Sequence, residues 1–315
     1  MARIGLILME SKCSLNCVFC NGREMGDIEK NIEFELNKLR EFTKREKDIE
    51  VVEISGNDPC EYDGLPEFVS RVREIAHPRE IMVSTHGGMM SDRSYLKRLV
   101  EAGMNAVRIP VYGAKQEVHE AVTCAKGSFD NLTKVLKNIK KLKKKENRKM
   151  RVVLTSLIVK DNQDHLKELF YLFKFLSDFA DEFYLSIPGF VHNQRRFFSH
   201  VPDFERLRKQ LPDALRYALS LGLAVNVHDI PMCLIRFDYP YYFNTTVKGT
   251  RAYEYRKNDP LMEEIDGELF PKYLIKTKSE ECRQCRYDSI CEGIYREYYR
   301  QGFFKFTPIL KKNKN

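Results

Sequence analysis

Long apolar runs are missing from this chain of 315 residues. Its most apolar segment, residues 169–185, is interrupted by Lys174, Asp178, Asp181 and Glu182. A helix that crosses a membrane needs about 20 consecutive, mostly apolar residues. We therefore predict no membrane span, and we interpret the segment as a buried helix that leads into a strand.

We also expect no secretory signal, because the apolar stretch Ile4–Met9 is too short for one and charged residues follow it. The chain nevertheless has nine cysteines. Disulfides are typical of secreted proteins, so this many cysteines without a signal indicates metal binding in a cytoplasmic protein. The sequence also shows no internal repeats.

Aromatic residues are absent from the most basic stretch, residues 140–151, in a chain of net charge +8. Basic runs often contact nucleic acid or anionic lipid, but stacking sites for bases interleave aromatic side chains with the cations. Cations are also favourable at the C-terminal end of a helix. We interpret the run as a solvated helix end and expect no nucleic-acid partner.

Strand-like and helix-like segments alternate through the first 230 residues. This alternation is typical of an α/β fold with a parallel sheet, here a partial or full TIM-like (β/α) barrel of about six βα units. Strands are predicted at 3–9, 49–54, 80–85, 105–112, 150–159, 182–187 and 223–230. Helices are predicted at 32–46, 65–76, 95–101, 128–145, 165–177 and 204–221.

The alternation stops near residue 230, where the composition becomes rich in Tyr, Arg and Pro. We predict a barrel domain over residues 1–230 and a small cysteine-rich metal module over 231–315. In barrels of this type, functional residues gather at the C-terminal ends of the strands. The loops after the first four strands are therefore expected to share one rim.

The first of these loops carries Cys13, Cys17 and Cys20 in a C-x3-C-x2-C pattern, with the aromatic Phe19 before the last cysteine. A cubane iron–sulfur cluster normally takes four thiolates, so three leave one iron open. The pattern, directly after a first strand, resembles the radical S-adenosylmethionine (SAM) enzymes. A zinc site is the alternative, although zinc sites usually show paired C-x2-C units and this loop has no nearby histidine.

The resemblance implies that these three thiolates bind a [4Fe–4S] cluster and that SAM chelates the fourth iron. One electron, supplied by an external donor of flavodoxin or ferredoxin type, would then cleave SAM to a deoxyadenosyl radical that abstracts a hydrogen atom. Such cofactors carry out the difficult chemistry while the protein positions them. Phe19 is expected to lie at the cofactor.

Three further segments resemble the same family. Gly56, Asn57 and Asp58 lie where the family has a Gly-Gly-Glu-Pro turn that holds the methionine amino group, although Asn57-Asp58 replaces the glutamate. Ser84 opens a segment similar to the ribose-contacting Thr-Asn-Gly. The stretch 108–132 resembles one found in the subgroup with an extra C-terminal cluster module.

Arg108 and Ser156 are predicted to contact the cofactor, Arg108 because it can pair with a carboxylate and Ser156 because it lies near a strand end. Ser186 is a similar candidate. Tyr62 and Tyr112 either line the pocket or serve in packing.

A second cysteine group lies in the C-terminal region. Four sulfurs close around either a zinc ion or a [4Fe–4S] cluster. The region resembles the auxiliary-cluster (SPASM/twitch-like) modules of radical SAM enzymes, which favours a second iron–sulfur cluster, with zinc as the alternative. The group comprises Cys233, Cys282, Cys285 and Cys291.

Two cysteines are left over, Cys60 and Cys124. A free cysteine usually acts as a small buried hydrophobic residue. Both lie in predicted rim loops, however, where a thiol can give a hydrogen atom to a substrate radical. We rank Cys124 above Cys60 as a catalytic residue.

The leading hypothesis is a radical SAM enzyme that modifies a peptide or protein. An epimerase or dehydrogenase of a small molecule is the alternative within the family. A non-catalytic protein that binds zinc and nucleic acid is the alternative from another class. The sequence does not identify the substrate.

Overall fold

The fold is a single seven-stranded sheet with helices between its strands. The computed structural model describes residues 4–20, 27–45, 48–145, 149–189, 195–242, 262–265, 268–271 and 275–310. All neighbouring strands of the sheet pair in parallel, in the order β1 to β7. The strands are β1 (Ile4–Met9), β2 (Val51–Gly56), β3 (Glu80–Ser84), β4 (Ala106–Pro110), β5 (Arg151–Leu157), β6 (Glu182–Ser186) and β7 (Val225–Val227). The predicted partial (β/α) barrel is confirmed.

Helices separate the strands, and the longer ones are amphipathic, with an apolar stripe on the sheet. The helices are α1 (Ile28–Arg45), α2 (Leu65–Ala76), α3 (Arg93–Ala102), α4 (Gln116–Thr123), α5 (Ser128–Lys145), α6 (Leu166–Leu176), α7 (Arg195–Phe198) and α8 (Phe204–Ser220). The sequence analysis did not predict α4. Its eight residues bury Val118, His119 and Val122, a pattern too short to stand out beside a glycine and a preceding strand.

The two faces of the sheet differ in composition. On the helix-facing side, residues such as Ile54, Val152 and Leu154 belong to the main buried core. On the other side, Met82, Ala106 and Val153 form a separate small cluster. We call this concave side the lumen of the half-barrel.

Beyond β7 the chain forms short elements: α9 (Met232–Ile235), β8 (Met262–Ile265), β9 (Glu268–Pro271), β10 (Lys276–Thr277), β11 (Ile294–Tyr295) and α10 (Arg296–Arg300). β8 pairs with β9 and β10 with β11, both antiparallel. Tyr298 is fully buried and donates a hydrogen bond to the Pro188 carbonyl oxygen at 2.8 Å. The division at residue 230 stays a prediction. Within the described residues, no helix is long and apolar enough to cross a membrane.

The basic run at the end of α5 forms ion pairs inside the fold. Lys140 and Lys144 pair with Asp178 at 2.7 and 2.9 Å, and Lys143 pairs with Asp181 at 2.5 Å. These pairs support the interpretation of the run as a helix end that packs against the segment after α6.

Candidate active site

The three-cysteine loop follows β1 and is fixed along one side by the end of α4. The Asn16 N–H donates to the Thr123 carbonyl at 3.0 Å, and the Val18 N–H donates to the Val122 carbonyl at 2.9 Å. A turn closes its last part, where the Cys20 N–H donates to the Cys17 carbonyl at 3.0 Å. The loop therefore has a defined backbone path at the C-terminal rim of the sheet.

The segment after β2 fixes the other side of the loop. The Asn57 side chain donates to the Ser11 carbonyl at 2.8 Å, and the Ser11 hydroxyl donates to the Asp58 carbonyl at 2.7 Å. The Ser14 N–H donates to a carboxylate oxygen of Glu61 at 2.7 Å. The first two loops of the rim, predicted to lie side by side, are thus joined directly.

Gly56 permits this close approach. Its φ of +125° lies in a region that L side chains rarely adopt, and an added Cβ would lie 2.2 Å from the Met9 carbonyl oxygen. The Asn57 N–H donates to that same oxygen at 3.1 Å. A side chain at position 56 would push β2 away from β1 and from the cysteine loop.

We expect Gly56→Ala to lower the free energy of unfolding by roughly 3 kcal/mol or more, because backbone strain and an overlap with backbone atoms add together. Gly222→Ala is the matched control: Gly222 has φ +64° and nothing within 4 Å of an added Cβ. That change should cost only about 1 kcal/mol. Urea denaturation measures both, and equal losses would contradict the argument.

Asp58 is almost fully buried, so its carboxylate is surrounded by protein groups. It accepts hydrogen bonds from the Cys60 N–H at 2.9 Å, the Thr85 hydroxyl at 2.7 Å and the His86 N–H at 2.9 Å. Burial raises the pKa of Asp58 in spite of these donors. The side chain therefore joins the second rim loop to the third, and only the backbone of this turn is left to face a cofactor.

The three thiols of the loop lie close enough to affect one another. Burial raises the pKa of Cys17 to about 12, and the charges of Cys20, Cys13 and Cys124 act in the same direction. Three thiolates in one place are unfavourable without a compensating cation. The donor set therefore fits an iron–sulfur cluster, which is bound through thiolates.

A row of aromatic rings packs against the cysteine loop through Phe19. The ring of Phe19 packs edge-on against Tyr112 at 5.4 Å, Tyr112 lies 5.6 Å from His119, and His119 lies 5.8 Å from Phe129. Burial lowers the pKa of His119 to about 4, so it stays neutral at pH 7. This packing gives Tyr112, His119 and Phe129 a structural role in the stretch that resembled the family.

A polar cluster lies on the lumen face of β2, β3 and β4. Glu53 accepts hydrogen bonds from Arg108 Nη1 at 2.6 Å and from the Ser84 hydroxyl at 2.7 Å. Within the described residues, the buried Arg108 Nε has no hydrogen-bond partner. The structure thus brings the predicted Ser84 and Arg108 together through Glu53, which the sequence analysis missed although its charge interrupts an apolar strand.

Ser156 lies on a different face. It lies on the same face of β5 as Val152 and Leu154 of the main core, so the strand presents Thr155 to the lumen instead. The Ser156 hydroxyl is buried without a partner among the described residues. This placement does not support the predicted cofactor contact, because residues one apart in a strand face opposite sides.

A charged network lies at the ends of β6 and β7. Asp229 has a left-handed backbone with φ 59°. Its carboxylate forms hydrogen bonds with His228 Nδ1 at 2.7 Å and with the Ser186 hydroxyl at 3.2 Å. Lys276 of β10 bonds both Asp229 and Glu292. Burial opposes ionisation of Asp229, but His228 and Lys276 hold its pKa well below the usual range.

The cysteines of the C-terminal group come together although about 50 residues separate the first from the others. Backbone N–H groups point at their sulfurs: Met232 and Gly293 donate to Cys291, and Ile309 donates to Cys285, each at 3.4 Å. N–H groups that face sulfur favour the thiolate form. All four, Cys233, Cys282, Cys285 and Cys291, line one small pocket.

Burial raises the pKa of Cys233 to about 11 and also raises the pKa of Cys291. Four thiols that line one apolar pocket fit a bound metal centre, because a cation compensates thiolates in such a pocket. Both zinc and a [4Fe–4S] cluster accept four sulfurs.

The remaining candidates are placed as follows. Cys60 is fully buried in the turn after β2, which matches the ordinary role of a free cysteine. Cys124 is exposed, ends α4 in a left-handed conformation with φ 49°, and lies near enough to Cys17 to affect its pKa. The Tyr62 hydroxyl donates to Glu29 of α1 at 3.1 Å.

A parallel half-barrel with a three-thiolate loop on its C-terminal rim is the architecture of a cluster-binding enzyme. Residues 8–172, more than half of the chain, match the Radical SAM superfamily. The chain therefore belongs to the radical SAM superfamily, a class of enzymes. The superfamily predicted from the cysteine loop is confirmed, and membership implies a [4Fe–4S] cluster used with SAM.

Among curated proteins, the GTP 3',8-cyclase of Aquifex aeolicus is 25% identical over 173 residues, which are 53% of this chain and 52% of that protein. The chain spans about half the length of the curated relatives it matches.

Among solved structures, SuiB of Streptococcus suis bound to S-adenosylmethionine aligns with a TM-score of 0.53 at 14% identity, covering 72% of this chain and 50% of SuiB. The protein anSMEcpe with bound AdoMet and the Cp18Cys peptide aligns with a TM-score of 0.54 at 15% identity, covering 72% and 63%. These likenesses concern the fold.

Proposed function

We propose that this protein cleaves SAM reductively and abstracts a hydrogen atom from a substrate held in the lumen of the half-barrel. The observation that carries the proposal is the loop of Cys13, Cys17 and Cys20, fixed on both sides at the C-terminal rim. When bound there, a [4Fe–4S] cluster with SAM supplies the deoxyadenosyl radical.

The residues around the loop have positioning roles in this proposal. Gly56 and Asn57 set the backbone that faces the cofactor, and Asp58 holds that backbone in place through Thr85. Phe19 packs against Tyr112 and so joins the loop to the aromatic row. Ser84 and Arg108 lie on the lumen face, where Arg108 is available for a carboxylate of the cofactor or the substrate.

We further propose that residues 231–315 form an auxiliary module and that its four cysteines bind a second [4Fe–4S] cluster. The convergence of Cys233, Cys282, Cys285 and Cys291 in one pocket supports this, as do the N–H groups that face their sulfurs. Four thiolates complete the coordination, so the role is electron transfer or structural support. A zinc ion is the alternative.

A peptide or protein is the substrate we favour. Two enzymes that share the fold were solved with peptides: SuiB with its precursor peptide SuiA, and anSMEcpe with the Cp18Cys peptide. A nucleotide is the second candidate, because two curated GTP 3',8-cyclases are 25% and 27% identical over 53% of this chain. Cys124, exposed beside this loop, is the proposed hydrogen-atom donor for a reaction that returns a hydrogen to the substrate.

Anaerobic reconstitution tests the proposal. The expected result is about eight iron and eight sulfide per chain for two cubane clusters, with deoxyadenosine released from SAM under dithionite. GTP and a peptide library are then compared for how much each accelerates deoxyadenosine release. Incorporation of solvent deuterium into the product by wild type but not by Cys124→Ala would identify Cys124 as the hydrogen-atom donor. Zinc alone, together with salt-sensitive RNA binding, would overturn the function.

A further inference from the structure

His86 lies next to the first cysteine of the loop. A ring nitrogen of His86, the Cys13 sulfur and a Glu61 carboxylate oxygen all lie within 4.8 Å of one another. The side chains of His86 and Glu61 are only 12% and 17% exposed, whereas Cys13 is exposed. The contact joins the third rim loop to the cysteine loop.

The orientation of the imidazole is set by its two nitrogens. The Gly88 N–H donates to Nδ1 at 3.1 Å, so the other nitrogen, Nε2, carries the proton. Nε2 lies 3.0 Å from Glu61 Oε1 and 3.0 Å from Asp58 Oδ2, and it interacts with Cys13 as well. The N–H edge of the ring therefore lies among two carboxylate oxygens and the Cys13 thiol.

Glu61 contributes a carboxylate to the cluster of side chains around Cys13. The Glu61 carboxylate lies 3.0 Å from His86 Nε2. The same carboxylate holds the backbone of Ser14 at 2.7 Å. Cys13 thus has an N–H donor on one side and an anion within a few ångströms.

We propose that His86 and Glu61 set the reduction potential of the cluster bound at Cys13, His86 raising it and Glu61 lowering it. The inference rests on the proposed function, because it requires a cluster at this loop. Reduction adds one electron, and hence one negative charge, to the cluster and its thiolates. A donor directed at a ligating sulfur stabilises that charge, whereas a carboxylate destabilises it.

A purely structural role would give a different result. If the pair only holds the loop, through Ser14 and Gly88, its substitution changes cluster content or stability and leaves the potential unchanged. Asp58 keeps its hydrogen bonds from the Cys60 N–H, the Thr85 hydroxyl and the His86 backbone N–H in every variant below.

The test is an EPR-monitored redox titration of the reconstituted full-length protein. The signal that changes on addition of SAM identifies the cluster at Cys13 and separates it from a second cluster. His86→Phe removes the donor, His86→Gln restores an N–H, and Glu61→Gln removes the charge while its carbonyl still accepts from Ser14. His165→Gln is the matched control, since His165 pairs with Glu168 at the surface.

In His86→Phe we expect the ratio of reduced to oxidised cluster at a fixed potential to fall about tenfold, equivalent to 59 mV for a one-electron couple. His86→Gln should lie between this variant and wild type, and Glu61→Gln should raise the ratio several-fold. His165→Gln should match wild type.

Ratios within twofold of wild type in all variants would overturn the inference. If His86→Phe binds no cluster, the opposite shifts expected for His86→Gln and Glu61→Gln decide the question. If wild type itself has no SAM-sensitive signal, the proposed function has failed instead.

Discussion

Alanine at Cys13, Cys17 or Cys20 is expected to abolish deoxyadenosine formation and to remove about four iron atoms per chain. Two thiolates are too few to hold a cluster whose fourth iron is kept open for SAM. The loop itself should stay in place, because its hydrogen bonds to Glu61, Thr123 and Val122 do not involve the sulfurs. Anaerobic iron analysis and chromatographic detection of deoxyadenosine measure the two effects.

Cys124→Ala is the control for this experiment, since Cys124 lies beside the loop but outside the C-x3-C-x2-C pattern. It should keep wild-type iron content. Normal deoxyadenosine release by a Cys17→Ala protein would contradict the assignment, and loss of iron from Cys124→Ala would indicate that the ligand set differs from the proposed one.

Lys276→Met is expected to lower the free energy of unfolding by roughly 3–5 kcal/mol, because it removes the cation that two buried carboxylates share. The side chains of Lys276, Asp229 and Glu292 are only 17%, 11% and 6% exposed. Asp229 follows β7 whereas Lys276 and Glu292 belong to the C-terminal region, so the first effect should be separation of this region from the half-barrel. Urea denaturation and limited proteolysis measure the loss and its location.

Lys278→Met is the matched control, two residues away. Lys278 pairs with Asp288 at 2.7 Å, but both side chains are about one-third exposed, 35% and 36%. Pairs that solvent reaches contribute about 0–1 kcal/mol. Equal losses in the two variants would show that the buried network does not join the C-terminal region to the half-barrel.

The fold was largely predictable because the chain repeats one local pattern. Apolar strands and amphipathic helices alternate, and parallel strands joined by helices pair with their neighbours in sequence order. The helix α4 was missed because Gln116–Thr123 makes only two turns and was taken as part of a motif. The periodicity of apolar residues predicted the long helices and the strands, but it did not predict a short helix that tertiary contacts hold in place.

The site was predictable only where its residues are close together in sequence. The cysteine pattern identified the loop at Cys13. Glu53, Asp229 and Lys276 were missed because each has a partner 31 to 55 residues away, Glu53 with Ser84 and Arg108, Asp229 with Ser186 and Lys276, and no local pattern reveals such pairs. Ser156 shows a second limit, since an offset of one residue in a strand exchanges the lumen face for the core.

The hydrogen bonds around the cysteine loop bear on how the protein withstands oxygen. The bonds through Asn57, Glu61, Val122 and Thr123 use backbone and side-chain groups other than thiolates. The free energy of metal binding is then not needed to shape the loop, in contrast to small metal-dependent domains. Oxidative loss of the cluster would leave a folded chain ready to be refilled, so damage here is repairable and need not lead to degradation.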